Sequence, residues 1–212
     1  MRIAELLTLM GHLSVGNDNI TPSERAIFLQ YLNLAHLELY QETANFNEDL
    51  LIQEDLANAQ DANTITLSQI PYLVSSVYDL THKKMLKRLS VADFASRDPA
   101  LNTTGTPCQY MMHKNTLSFI PPQTAPVSTI VWYVPQPKPL TEVMEEGDIP
   151  YPVAYHPVLA DGALYYLFQE EGGFKNTQKE LEARRRWDTG KSKLLSYLYR
   201  SSGQSFSTFS SV

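Results

Sequence analysis

The stretch that decides the fold runs from Cys108 to Phe168 and contains three informative runs. They read CQYMMHKNTLSFIPP (108–122), STIVWYVP (128–135) and IPYPVAYHPVLADGALYYLF (149–168). The first two are rich in β-branched and aromatic residues and end at proline, which is typical of strands. In the third, proline precedes apolar residues that recur at helical spacing. This order predicts a β module that returns the chain to a helical one, and nothing in it resembles reaction chemistry.

The composition is that of a globular protein. Of the 212 residues, 43% are hydrophobic, which is enough for a sizeable core. The single cysteine, Cys108, excludes an intramolecular disulfide framework, fits a reducing compartment, and is expected to be a small apolar filler on a strand. With 17 Lys and Arg against 23 Asp and Glu, the net charge is −6, which disfavours sequence-specific DNA binding.

The N-terminal segment Met1–Met10 superficially resembles a short secretion signal. Glu5 interrupts its apolar run and no small-residue cleavage site follows, so an amphipathic helix is the better interpretation. No apolar run approaches the ~18–20 residues that span a bilayer. We therefore expect a protein that is cytosolic when made.

A long helix is predicted from about Pro22 to about Thr43. Thr21-Pro22-Ser23-Glu24 combines a capping box with proline at the first helical position. One buried face is predicted because apolar residues recur at i, i+4, i+7 and i+11, with two more that widen the stripe. The four are Phe28, Leu32, Ala35 and Leu39, and the two are Tyr31 and Leu34.

The middle of the chain favours short antiparallel strands. The segment 47–62 is ambiguous, and we expect irregular structure with a short strand near Leu50. Residues 72–78 are predicted to pair with 85–89, residues 109–113 with 117–120, and residues 130–134 to close the set. Five or six such strands suggest a small sandwich or rolled sheet.

The segment 135–152 holds five prolines and an acidic run, so an extended linker over the surface is expected. Helix returns at Pro157 and is expected to end at Gly172-Gly173. A last helix is predicted over about 176–199, with ion pairs Glu180–Arg184 and Glu182–Arg186. Its inward-facing residues are predicted to be Leu181, Trp187, Leu194, Leu195 and Leu198.

The predicted fold class is α+β: a discontinuous helical bundle, built from N- and C-terminal helices, with an inserted antiparallel β-sandwich-like module. We expect a first bundle part at 1–46, the β module at 47–140 and a Pro-rich linker at 141–154. The second bundle part follows at 155–200, and an extended tail at 201–212. The tail is rich in serine and carries no charge, so it is not expected to stay ordered by itself.

A search for chemistry finds no catalytic constellation. The five histidines show no metal-binding spacing, and with one cysteine no zinc cluster or other cofactor site is expected. Each histidine is expected to be at the surface or partly packed, and only His156, before a helix-opening proline, holds a structurally marked position. The run Arg184-Arg185-Arg186 has two interpretations: a solvated, ion-paired face, or a contact with a partner subunit or nucleic acid.

The residues also carry a family likeness. The chain resembles the head-to-tail adaptor (connector) proteins of tailed bacteriophages, of the type with a β module inserted in a helical bundle. The likeness covers most of the chain and rests on the order of its motifs, although 47–62 fits poorly. The motifs are FLQYLNLA (28–35), Val77-Tyr78, LSVADF (89–94), Gly105-Thr106-Pro107 with Tyr110, FIPP (119–122), WYV (132–134), Ile149-Pro150, YHPVL (155–159) and Ala163-Leu164.

The resemblance implies a structural virion protein at the neck, the head–tail junction, and not an enzyme. It implies a homo-oligomeric ring of about twelve copies beneath the portal protein, which joins tail or nozzle proteins and lets double-stranded DNA pass without sequence recognition. About twelve copies would carry about −72 formal charges, and acids lining the channel would repel phosphates. The tail is expected to bind the portal through Arg200, Phe206, Phe209 and Val212.

Two alternatives stay open. A tail-side connector or ring protein would mainly contact other tail components and not the portal. A small α+β hydrolase would need a convergent acid–base pair, which the sequence does not offer.

Overall fold

The computed structural model describes residues 1–16, 19–57, 63–90, 92–93, 104–123, 125–170 and 173–202. The fold is α+β, with helices at both ends of the chain and strands in the middle, as predicted. The chain divides into two compact units. The helical unit consists of Met1–Asp49 and the chain from Pro137 onward, and the β unit is Leu50–Gln136. The five-part division with its own bounds stays a prediction.

The helical unit has four helices within the described residues: α1 Ile3–Val15, α2 Pro22–Thr43, α3 His156–Gln169 and α4 Thr177–Ser201. The bounds of α2 are those predicted, because Thr21 accepts a hydrogen bond from the backbone of Glu24 and caps the helix. Helix α3 ends earlier than expected, at Gln169, and Glu170 after it has extended backbone and no glycine-type cap. Helix α4 is capped by the Asn176 side chain, which accepts from the backbone of Lys179 at 3.0 Å.

The core of the helical unit confirms most of the predicted apolar stripes. Phe28, Leu32, Ala35 and Leu39 are fully buried. In α4, the predicted residues Trp187, Leu194 and Leu198 are also buried. The prediction was wrong for Leu34 and Leu181, which are 45% and 62% exposed. Leu195 is only half-buried.

Helices α3 and α4 approach closely because each presents a glycine to the other. A Cβ at Gly162 would lie 2.8 Å from the ring of Trp187, and one at Gly190 would lie 2.7 Å from a methyl group of Val158. Any side chain at these two positions would therefore push the helices apart.

The β unit contains two four-stranded sheets among its described residues. One has the order β1-β8-β3-β4 and the other β2-β7-β6-β5. Val77, Val131 and Tyr133 of the first sheet and Leu117 and Phe119 of the second share one buried core. The strands are β1 Ile52–Ala57, β2 Thr64–Thr66, β3 Pro71–Asp79, β4 Lys84–Met85, β5 Lys87–Arg88, β6 Gln109–His113, β7 Thr116–Ile120 and β8 Ser128–Pro135.

The β unit departs from the predictions in three places. The ambiguous segment after Asn47 forms a short 3-10 turn and then the six-residue strand β1, which pairs with β8 along its whole length. The run 85–89 is divided: β4 pairs with β3, but β5 joins the second sheet and runs parallel to β6. Cys108 lies exposed before β6 and is not a buried filler. The predicted hairpin of β6 and β7 is confirmed.

The Pro-rich segment 135–152 was expected to run over the surface, and this was wrong at three positions. Leu140, Ile149 and Tyr151 are buried in the core of the helical unit. Asn33 of α2 holds the segment in place, since its Nδ2 donates to the Leu140 carbonyl at 3.1 Å and its Oδ1 accepts from the Leu140 N–H at 2.6 Å. This bidentate pair gives Asn33 of the FLQYLNLA motif a structural role.

Candidate partner-binding surface on helix α4

Helix α4 carries most of the positive charge of the helical unit. It has seven Lys and Arg against three Asp and Glu, a formal charge of +4. The remainder of the chain has ten Lys and Arg against twenty Asp and Glu, a formal charge of −10. The charge of −6 is therefore the sum of two regions of opposite sign, +4 and −10.

The three consecutive arginines of α4 have different surroundings. Arg186 donates from Nε to Asp161 at 2.7 Å, and Arg184 lies 3.8 Å from Asp188 and over the ring of Tyr165. Burial raises the pKa of Asp161, and Arg186 opposes this shift. Neither predicted ion pair, Glu180–Arg184 or Glu182–Arg186, forms among the described residues. Glu180 instead accepts a hydrogen bond from Gln169, and Glu182 accepts one from Gln178.

Three cations on the outer side of α4 have no partner for their charged groups within the described part of the chain: Arg185, Lys193 and Arg200. All three are exposed. Arg185 lies in one shallow groove along α4, and Lys193 and Arg200 lie in a second groove of about 640 Å³. The two grooves share Thr189, so they form one continuous face, which we call the outer face of α4.

Aromatic side chains border the second groove. The rings of Tyr155 and Tyr197 pack with their centres 5.6 Å apart, and Tyr197 is 46% exposed. The Tyr155 hydroxyl donates to the carbonyl of Lys193 at 3.5 Å. Sequence reasoning missed Lys193 and both tyrosines, although the spacing of residues 189, 193, 196, 197 and 200 places them on neighbouring outer turns of α4.

A polar network on the inner side of α4 fixes this helix against α2. Lys191 donates to Glu38 at 2.7 Å and to Glu42 at 2.9 Å, and it lies 5.0 Å from the centre of the Trp187 ring. Tyr166 of α3 also donates to Glu38. Burial by itself raises the pKa of Glu38 and lowers that of Lys191. The hydrogen bonds outweigh burial, so the pKa of Glu38 is lowered and that of Lys191 is raised.

Two histidines are more deeply buried than expected. His156 is fully buried, and its Nε2 lies 2.8 Å from the carbonyl of Tyr151. His36 is also buried and lies 3.2 Å from the Tyr151 hydroxyl, and its burial lowers its pKa to about 4. The position of His36, four residues after Leu32 on the apolar stripe of α2, could have indicated this burial.

Metal sites, membrane-spanning helices and the predicted portal contacts were also compared with the described residues. They contain no group of three or more His, Cys, Asp and Glu side chains that could hold a metal ion. Across the same residues, no helix has both the length and the apolar character to cross a bilayer. The predicted portal contacts Phe206, Phe209 and Val212 lie outside the described residues, and Arg200 lies in the last turn of α4.

Comparison with known families identifies the kind of protein. The sequence model of the SU10 adaptor protein family matches residues 1–208. The chain belongs to the SU10 adaptor protein family. Membership indicates a phage adaptor protein, which is a structural component of the virion and interacts with other phage structural proteins. None of the curated proteins matches the chain.

Family membership agrees with the surfaces described above. The match covers both units, so the β unit is part of the family's shared architecture and not an unrelated insertion. An adaptor acts by the surfaces that it offers to its neighbours. In this adaptor, the outer face of α4 combines exposed cations, hydroxyls and tyrosines, the side chains that contact charged partners.

Proposed function

We propose that this adaptor forms a ring of about twelve copies under the portal protein at the neck of the virion, where it joins the capsid to the tail and lets DNA pass. The observation that carries this proposal is the family match over residues 1–208. The placement under the portal, the ring and the passage of DNA are proposals that go beyond family membership. They extend the established family role of a structural adaptor.

An apolar stripe on α2 supports contact between copies. Ile27, Leu34 and Leu37 are 37%, 45% and 42% exposed. Because they lie seven and three residues apart, they share one side of the helix. Gln30 and Gln41 are the polar residues on the same side, so this stripe carries no charge. Helix faces of this kind are typically covered by a partner, and in a ring the partner is the next copy.

The contact with the portal is assigned to the C-terminal tail, residues 201–212. In sequence, the tail begins at the end of α4, whose last residue is Ser201. It is uncharged and contains Phe206, Phe209 and Val212 as its apolar residues. Apolar anchors at regular intervals in a polar segment suit insertion into pockets of a partner.

The portal assignment is tested by measuring the mass of the purified protein with and without purified portal. A chain truncated after Ser202 is expected to lose portal binding while its circular dichroism spectrum matches that of the full chain. Unchanged binding of the truncated chain would refute the role of the tail. Absence of any portal complex with the full chain, together with capture of a tail component, would establish the tail-side connector instead.

The copy–copy contact is tested separately with Leu34→Glu. A charge at the centre of the α2 stripe is expected to lower the mass of the oligomer, because it would have to be buried unpaired. Leu181→Glu is the matched control, since Leu181 is an exposed leucine on α4, outside the stripe. An oligomer that tolerates Leu34→Glu but not Leu181→Glu would move the contact to α4.

A further inference from the structure

The three unpartnered cations on the outer face of α4 form one line. Arg185, Lys193 and Arg200 span fifteen residues of helix, which corresponds to about 22 Å along its axis. At about 100° per residue, they fall within an arc of about 80°. They are therefore directed to the same side of the molecule and can contact one extended ligand together.

The side chains between these cations are small and carry hydroxyl groups. Thr189, Ser192 and Ser196 line the groove with Lys193 and Arg200, and the groove contains no carboxylate among its described lining residues. The serine hydroxyls donate to carbonyls of the preceding helical turn, at 2.9 Å for Ser192 and 2.8 Å for Ser196. A hydroxyl can rotate from such a carbonyl to an incoming acceptor.

We propose that the outer face of α4 binds the phosphate backbone of duplex DNA. Phosphate oxygens are contacted in proteins by arginine, lysine, serine, threonine and tyrosine side chains, and all five types line this face, with Glu182 and Asp188 as its carboxylates near Arg185. The face is long and shallow, which suits a polyanionic rod better than a small molecule. Duplex DNA, as opposed to another polyanion, is chosen because the proposed function brings it to this protein.

An acidic protein segment fits the same charges less well. A protein interface is expected to have an apolar centre, with charged residues at its rim. The outer face of α4 has apolar surface at both ends, with Tyr155 and Tyr197 at one and Leu181 at the other, but its middle, at Thr189, Ser192 and Ser196, is polar. Binding here would be dominated by charge, which is the character of non-specific phosphate contact.

The net charge of −6 does not prevent this contact. The acidic excess lies outside α4, and at 0.1 M salt charges more than about 10 Å apart are largely screened. Arg184 and Arg186 take no part, since Asp188 and Asp161 already neutralise them. The proposal therefore limits the phosphate contacts to three cations for each copy.

The test is the salt dependence of binding to a fluorescent 30-base-pair duplex, measured by anisotropy with the full chain. Each phosphate contact contributes about 0.9 to the slope of log K against log salt. With one copy bound to the duplex, three contacts predict a fall in affinity of about 40-fold between 50 and 200 mM salt. Removing one cation, as in Lys193→Gln, reduces this fall to about 12-fold, and Arg185→Gln, Lys193→Gln and Arg200→Gln together remove it.

Two single substitutions serve as controls. Lys138→Gln removes an exposed lysine of the helical unit that lies outside α4, and it is expected to keep the full salt dependence. Arg185→Lys keeps the charge and is expected to do the same. All variants are exposed substitutions, so their urea midpoints should match that of the unaltered chain.

Several results would overturn the proposal. They are the absence of duplex binding at 50 mM salt, a triple variant with unchanged salt dependence, and a Lys138→Gln variant that weakens binding as much as Lys193→Gln. A polyglutamate peptide that binds the face more tightly than the duplex would assign it to an acidic protein partner. Portal binding by the triple variant is measured in parallel. Its persistence while DNA binding is lost would separate this inference from the proposed function.

Discussion

Substitution of Gly190 tests whether α3 and α4 are held at a distance that only glycine permits. Alanine at position 190 would place its Cβ 2.7 Å from Cγ2 and 2.9 Å from Cγ1 of Val158. Val158 is buried and helical, and a helical valine has one strongly preferred rotamer, so it cannot rotate away. Gly190→Ala should therefore separate the two helices or strain them.

Two effects of opposite sign decide the magnitude. Alanine is better than glycine in a helix interior by about 1 kcal/mol, and overpacking a core costs about 1–3 kcal/mol. We expect Gly190→Ala to lower the free energy of unfolding by about 1 kcal/mol. Val158→Ala alone should lower it by about 2 kcal/mol through lost burial and a cavity. The double variant should lose about 1–2 kcal/mol less stability than the sum of the two single losses, because the two changes compensate in volume.

The assay is urea unfolding followed by circular dichroism at 222 nm, at one fixed protein concentration. Gly147→Ala is the control, since a Cβ at Gly147 has no neighbour within 4 Å. Its effect should stay within about 0.5 kcal/mol. A Gly190→Ala variant that is more stable than the unaltered chain by about 1 kcal/mol would refute the close-packing argument, as would a double variant that shows simple additivity.

Three further predictions concern polar groups of the helical unit. Asn33→Leu should lower the free energy of urea unfolding by about 2–3 kcal/mol, because it leaves the buried N–H and C=O of Leu140 unpaired. A loss below about 0.5 kcal/mol would contradict this. Lys191→Met should lower the free energy of unfolding at pH 7 by about 2 kcal/mol, because it leaves Glu38 without its cation. An unchanged free energy of unfolding would show that the pair is only a surface contact. Burial lowers the folded-state pKa of His36 from 6.5 to about 4, so the unfolded chain binds the proton first as pH falls. The contribution of neutral His36 to the free energy of unfolding should be fully present above pH 6.5 and should fall by about 3 kcal/mol between pH 6.5 and pH 4. Urea titrations at several pH values measure this fall, and His36→Gln should remove most of it.

Local signals in the sequence were sufficient wherever one segment determines its own structure. The bounds of α2 follow from the cap at Thr21, the proline after it and the stripe that begins at Phe28, all within one stretch of chain. The β6–β7 hairpin is similar, since its turn and both strands are adjacent in sequence. The outer face of α4 was predicted only at Arg185 and Arg200, because helical spacing does not reveal which cations acquire partners.

The sequence by itself determined the class of fold, the order of helices and strands, and the kinship with phage adaptors, since caps, prolines and apolar periodicity act over a few residues. The tertiary structure alone decided which apolar and charged side chains were left uncovered. Leu140 lies in a Pro-rich segment that predicts a surface linker, yet it is buried in the core of the helical unit. Arg186 pairs with Asp161, which lies twenty-five residues away in the chain, whereas the neighbouring Arg185 has no such partner among the described residues. Such outcomes depend on contacts between distant segments, and no local pattern of residues encodes them.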